Sequence, residues 1–103
     1  MRGGGHTVWA GSNNIDDGVT VDMGLMDDVT LDKDSAVASI GPGARWMHVY
    51  GLLDPEGWTV AGGRAGSVGV AGFLTGGGNS FFSARTGFAC DNVKNFELVT
   101  ASG

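Results

Sequence analysis

Twenty of the 103 residues are glycine, and their placement constrains the fold more than any other feature. Eight fall among the seventeen positions from Gly62 to Gly78, in the run Gly-Gly-Arg-Ala-Gly-Ser-Val-Gly-Val-Ala-Gly-Phe-Leu-Thr-Gly-Gly-Gly. Three more, Gly3-Gly4-Gly5, precede His6 near the start. Glycine tolerates positive φ and lets a second backbone or a ligand approach the main chain closely. Successive bare N–H groups form a concavity for phosphate-like oxygens. Two such segments, one ending in histidine, point to backbone arranged around an anion. The alternative is that glycine permits tight bends in a compact sheet. No Gly-X-Y period runs through the chain, which excludes a collagen helix.

The length allows one small domain with a modest core. Hydrophobic residues make up 42% and charged residues 17%, a balance that suits a globular chain rather than a disordered one. The formal charge is -5, with acids at Asp16, Asp17, Asp22, Asp27, Asp28, Asp32 and Asp34. Nucleic-acid surfaces need clustered Lys and Arg, so that partner is disfavoured. These acids read as a solvated strand-and-turn face. Asp32-Lys33-Asp34 lacks the further ligands and the glycine of a calcium loop. The single cysteine, Cys90, permits no internal disulfide and reads as a small buried hydrophobe. Two histidines and one cysteine, widely separated, make no metal site. No apolar run reaches the roughly 18 residues of a membrane span, and the first residues carry no signal-peptide core. The sequence assigns no cellular compartment.

Gly18–Met23 alternates strictly, predicting a half-buried strand with Val19, Val21 and Met23 on one face. Asp28–Asp32 repeats the pattern through Val29 and Leu31. Ala36–Ile40 is a third short strand, closed by Gly41-Pro42-Gly43. The period then changes. Trp46, Val49, Tyr50 and Leu53 sit at i, i+3, i+4 and i+7, which predicts a helix with one apolar stripe and His48 off it. Asp54-Pro55-Glu56-Gly57 ends that helix as a turn. Phe96–Thr100 reads as a last strand before a turn at Ala101-Ser102-Gly103. The class is α+β, with short, mostly antiparallel strands and short helices.

The glycine tract is neither a Walker loop, since no Gly-Lys-Ser/Thr closes it, nor the G-x-G-x-x-G dinucleotide fingerprint. Gly66, Gly69 and Gly72 recur every third residue instead. Arg2-Gly3-Gly4-Gly5-His6-Thr7 looks like an Arg-Ser-Gly-Gly-His-Ser loop. Ile40-Gly41-Pro42-Gly43-Ala44-Arg45-Trp46 looks like a strand-to-helix turn. Ser67-Val68-Gly69-Val70-Ala71-Gly72-Phe73 with Gly76-Gly77-Gly78 looks like a flavin-contacting segment. Gly87-Phe88-Ala89-Cys90-Asp91-Asn92-Val93 looks like a closing Gly-Leu-Ala-Cys-Asp-Asn-Val. In this order the four resemble the PCMH-type FAD-binding domain of the vanillyl-alcohol-oxidase superfamily, closest to fungal, berberine-bridge-like, oxygen-dependent oxidoreductases. The likeness spans nearly the whole chain.

The resemblance implies FAD as cofactor. It implies that Gly3, Gly4 and Gly5 cradle the pyrophosphate through their N–H groups, that Arg2 and Thr7 of the same loop are cofactor contacts, and that His6 bonds covalently to the flavin 8α-methyl. A neutral imidazole nitrogen is a competent nucleophile near pH 7. Gly3 stands where the family has serine. Ser67, Val68, Gly69, Val70, Gly72, Gly76 and Gly77 are the remaining implied contacts. Ala65 occupies the position where some members carry a second flavin-bound cysteine, so one covalent link is expected. Asp91 and Asn92 are expected to organise a turn. The implied activity is that of an FAD-linked oxidase with a small-molecule substrate and molecular oxygen as partners.

No catalytic residue is identified, because the family's substrate domain has no counterpart here. The chain is therefore expected to be a partial FAD-binding domain, residues 1–103, truncated at both ends. Alone it is expected to bind FAD weakly, since an unanchored loop must be ordered on binding. Two alternatives stand beside this: an inactive truncated product that holds no FAD, and a glycine-rich β-module that binds a partner.

Overall fold

The computed structural model describes residues 1–103. Its regular part begins with the hairpin predicted from alternation. Strand β1 (Val29–Asp32) pairs antiparallel with β2 (Val37–Ile40), from Val29 opposite Ile40 to Asp32 opposite Val37. Asp32 fixes the connecting turn. Its carboxylate accepts from the Asp34 and Ser35 N–H groups at 3.0 and 3.3 Å and from the Ser35 hydroxyl at 2.6 Å. Those bonds, the Ser35 hydroxyl first, hold the Asp32 carboxyl below the usual range.

Helix α1 (Trp46–Leu53) carries the apolar stripe inward. Trp46, Val49 and Leu53 are buried, Tyr50 is half-buried, and His48 faces solvent. Together with Val29, Ala44 and Val70 these side chains form the core cluster. No side chain caps the start of α1. The orphan N–H groups that begin any helix are met instead by the glycine tract. Trp46 N–H donates to the Val68 carbonyl at 3.1 Å, and Met47 N–H to the Gly66 carbonyl at 3.0 Å. A 3-10 turn over Asp54–Glu56 follows, and Gly57, at φ 74°, ends it. Tyr50 donates its hydroxyl to the Gly63 carbonyl at 2.8 Å, and burial pushes its ionisation up.

Two short helices lie beyond, α2 (Val70–Thr75) and α3 (Ser83–Thr86), then a 3-10 turn over Ala89–Asn92. Asp91 and Asn92 organise that turn. The Asp91 carboxylate accepts from Phe88 N–H at 2.7 Å, while the Asn92 amide donates to the Thr86 and Phe88 carbonyls.

Thirteen residues are buried, and Gly43, Gly62, Gly63, Gly69 and Gly78 are among them. The core is thus partly backbone. Gly62 and Gly63 lie so close to the Trp46 indole that a Cβ on either would fall within 2.5 Å of its ring atoms.

Three expectations fail. Gly18–Met23 is not a strand. It makes one isolated parallel bridge, between Arg2 and Asp22, and Val19 is 86% exposed. An alternating segment needs a neighbour along its whole length to become a strand, and here only Arg2 supplies bonds. Phe96–Thr100 pairs with nothing, and Phe96, Leu98 and Val99 are exposed. Cys90 is exposed, while its neighbour Ala89 takes the buried place in the turn. No helix is long and apolar enough to cross a membrane.

Candidate functional site

The residues around the first glycine loop surround a polar cavity of about 530 Å³ that no hydrophobic residue lines. Arg2 anchors the loop. Its N–H donates to the Val21 carbonyl at 2.8 Å, and its carbonyl accepts from Met23 N–H at 2.9 Å. Its guanidinium pairs with the Asp22 carboxylate at 2.5 Å. That bond, helped by Gly24 N–H, holds the Asp22 carboxyl below its usual range.

Beyond Arg2 the backbone stops bonding to itself. The N–H groups of Gly3, Gly4 and Gly5 donate to nothing within the chain. Gly5 adopts φ 62°, the left-handed region. Gly3 is tight against the Pro42 carbonyl, and Gly4 against Gly69. A side chain would not fit at Gly4, and the φ of Gly5 favours glycine, so these two positions leave their amides bare at the cavity edge.

The second tract meets the first at two points. Gly69 packs on Gly4 so closely that a Cβ on Gly69 would fall 2.4 Å from the Gly4 nitrogen. Ser67 Oγ lies 3.1 Å from His6 Nε2. Gly69 is held by an antiparallel bridge to Arg45, through Val70 N–H to the Ala44 carbonyl at 2.9 Å and Trp46 N–H to the Val68 carbonyl.

The other predicted residues are placed elsewhere. Val70 is a core side chain. Gly72 lies in α2 with open space around it. Gly76 ends α2, and Gly77 accepts Cys90 N–H at 3.0 Å, bracing the Ala89–Asn92 turn; neither lines the cavity. Thr7 is exposed, its hydroxyl 3.5 Å from Trp9 N–H.

The sequence reading passed over Arg45, Asn13, Asn14 and Gly43, which also line the cavity. Arg45 is the informative one. It lines the cavity, and its guanidinium donates to the Ser67 carbonyl. Its signal lay in the matched turn Gly41–Trp46, where it is the only charged residue. Two guanidiniums, Arg2 and Arg45, against one carboxylate, Asp22, leave one formal positive charge on the lining.

Free amides, a net cationic lining and space suit a pyrophosphate. The residues present therefore fit a dinucleotide cofactor approached through its phosphates.

Comparison with known proteins shows the family. The whole chain, residues 1–103, matches the FAD binding domain family, and the chain belongs to it. FAD is that family's cofactor. All 103 residues align at 48% identity with FAD-dependent monooxygenase tpcD of Cochliobolus heterostrophus, covering 20% of it. They align at 48% identity with FAD-dependent monooxygenase sdcF of Emericella nidulans, covering 22% of it. Among solved structures, 6-hydroxy-D-nicotine oxidase from Arthrobacter nicotinovorans superposes with a TM-score of 0.82 at 30% identity, over 88% of this chain and 20% of that one. Xylooligosaccharide oxidase from Myceliophthora thermophila superposes with a TM-score of 0.65 at 37% identity, over 70% of this chain and 15% of that one. The chain thus spans about a fifth of the length of the relatives it matches.

Proposed function

We propose that these residues form the pyrophosphate-binding part of a larger FAD-linked oxidoreductase that acts on a small molecule with dioxygen as electron acceptor. The observation that carries this reading is the row of unbonded amides at Gly3, Gly4 and Gly5 beside the Arg45 side chain. The amides and Arg45 bind the phosphates. The Arg2–Asp22 pair holds the loop open. Ser67 and Gly69 close it from the far side. Bound FAD supplies hydride acceptance at its N5 and reoxidation by dioxygen, while the chain's share is binding and orientation. The substrate contacts come from outside these residues.

His6 is the proposed point of covalent attachment. A ring nitrogen bonds to the 8α-carbon; one proton leaves that carbon and one leaves the imidazole. Two electrons pass in the net reaction to dioxygen, giving hydrogen peroxide.

The test is a denaturing gel of the acid-treated whole protein carrying these residues, viewed under ultraviolet light. Fluorescence should travel with the polypeptide and be absent from His6→Ala, which should still hold FAD reversibly. Fluorescence that persists in His6→Ala refutes the attachment, and a colourless wild-type protein that takes up no added FAD refutes the whole reading.

A further inference from the structure

We infer that Ser67 is a positioning residue for His6, its hydroxyl fixing which imidazole nitrogen is free to form the flavin bond. The inference rests on the proposal that His6 is the attachment point.

Three successive carbonyls fix Ser67 against the start of α1. Gly66 accepts from Met47 N–H, Ser67 from the Arg45 guanidinium, and Val68 from Trp46 N–H. The Ser67 backbone is therefore immobilised on both sides by a helix whose stripe is buried in the core. His6 has no comparable support. It follows Gly5 in the left-handed region, its side chain is exposed, and its ring makes one hydrogen bond, to Ser67 Oγ at 3.1 Å. The ring's one partner is thus an exposed hydroxyl carried on a backbone that is itself held in place.

A neutral imidazole has one N–H and one lone pair, and the hydrogen bond made at one nitrogen decides what the other can do. The proposed role has Ser67 Oγ accept from Nε2–H, the direction that leaves the lone pair on Nδ1. Nδ1 then forms the bond to the 8α-carbon, and the Nε2 proton leaves through Ser67 to solvent, so the ring ends neutral. The electron balance is the one already given, with dioxygen as acceptor. Ser67 touches neither the bond that forms nor the carbon that loses its proton. It acts through His6.

The experiment uses the whole protein carrying these residues, produced under flavin depletion so that it carries no adduct, with Ser67→Thr, Ser67→Val and Ser67→Ala alongside wild type. Thr and Val share a shape and differ in the hydroxyl, so a packing effect moves both and a hydrogen-bond effect moves one. After mixing with saturating FAD, intact mass follows the covalent adduct with time, and fluorescence quenching gives the reversible FAD affinity. Attachment in Ser67→Val and Ser67→Ala should be slower by roughly three- to tenfold, the weight of one hydrogen bond. Ser67→Thr should stay near wild type, and because FAD is saturating for every variant, as the quenching titration checks, a change in reversible affinity does not enter the rate comparison. Equal attachment rates in Ser67→Thr and Ser67→Val overturn the role of Ser67 while leaving His6 as the attachment point. A wild-type protein that never gains the adduct overturns both.

Discussion

Gly4 and Gly69 meet backbone to backbone: a Cβ on Gly4 would lie 2.5 Å from both the Cα and the nitrogen of Gly69. Sixty-five positions separate them in the chain, yet the contact is what brings the two glycine segments to one site.

That contact makes Gly69→Ala a severe change. The methyl group meets main chain, which cannot rotate away, and overpacking of this kind costs about 1–3 kcal/mol. Gly72→Ala is the matched control. It adds a methyl to α2 in open space and should be neutral or stabilise by roughly 0.5–1 kcal/mol, the helical preference for alanine. Denaturant unfolding of both variants checks the pair. A loss in Gly72→Ala as large as that in Gly69→Ala would show that the close approach is not the cause.

Trp46→Ala should destabilise by roughly 3–5 kcal/mol, because it empties the largest side-chain volume in the core. His48, two residues away and exposed, should tolerate alanine within about 0.5 kcal/mol. Thermal unfolding measured side by side distinguishes them, and similar shifts would mean that the helix stripe is rotated from its stated phase.

The Arg2–Asp22 pair gives the loop a defined acid response. Asp22 has its carboxyl lowered from 3.8 in the folded protein. Its contribution is therefore complete above the unfolded value and is lost as pH falls through the lower, folded one. Carboxyl-carbon chemical shifts should give Asp22 a midpoint below 3.8, with the Gly24 amide moving in step, since that N–H donates to the Asp22 carboxylate at 3.0 Å. In Asp22→Asn the Gly24 transition should vanish. An Asp22 midpoint at or above 3.8 contradicts the pairing.

Cys90 is exposed and 3.9 Å from the Asp91 carboxylate. A small alkylating reagent should therefore modify it in the folded protein without denaturant, and peptide mapping should find no flavin on it. Protection until unfolding would place the side chain inside, as composition alone suggested.

The hairpin and α1 were legible because their periodic side chains have partners nearby in sequence: Val29 faces Ile40 across one turn, and the Trp46 stripe lies along a single helix. Gly18–Met23 shows the same alternation but has only Arg2 beside it, and alternation carries no information about whether a neighbour exists. Cys90 and Ala89 differ by one position in a 3-10 turn, where no long period fixes the phase. At the site, the glycine loop and His6 were visible as a motif. Arg45 stood in the matched turn as its only charged residue, but its place at the cavity depends on a contact with Ser67, 22 positions away, which that turn does not encode.

The hydrogen bond from His6 to Ser67 spans 61 residues. No short stretch of nascent chain contains both, so the imidazole acquires its orientation only after the glycine tract has docked on α1. Under the proposed roles, covalent attachment is then the last event of assembly rather than an early one. A population of molecules carrying bound flavin would be a population already folded around it, and the yellow colour of the protein would serve as a chemical record of completed folding.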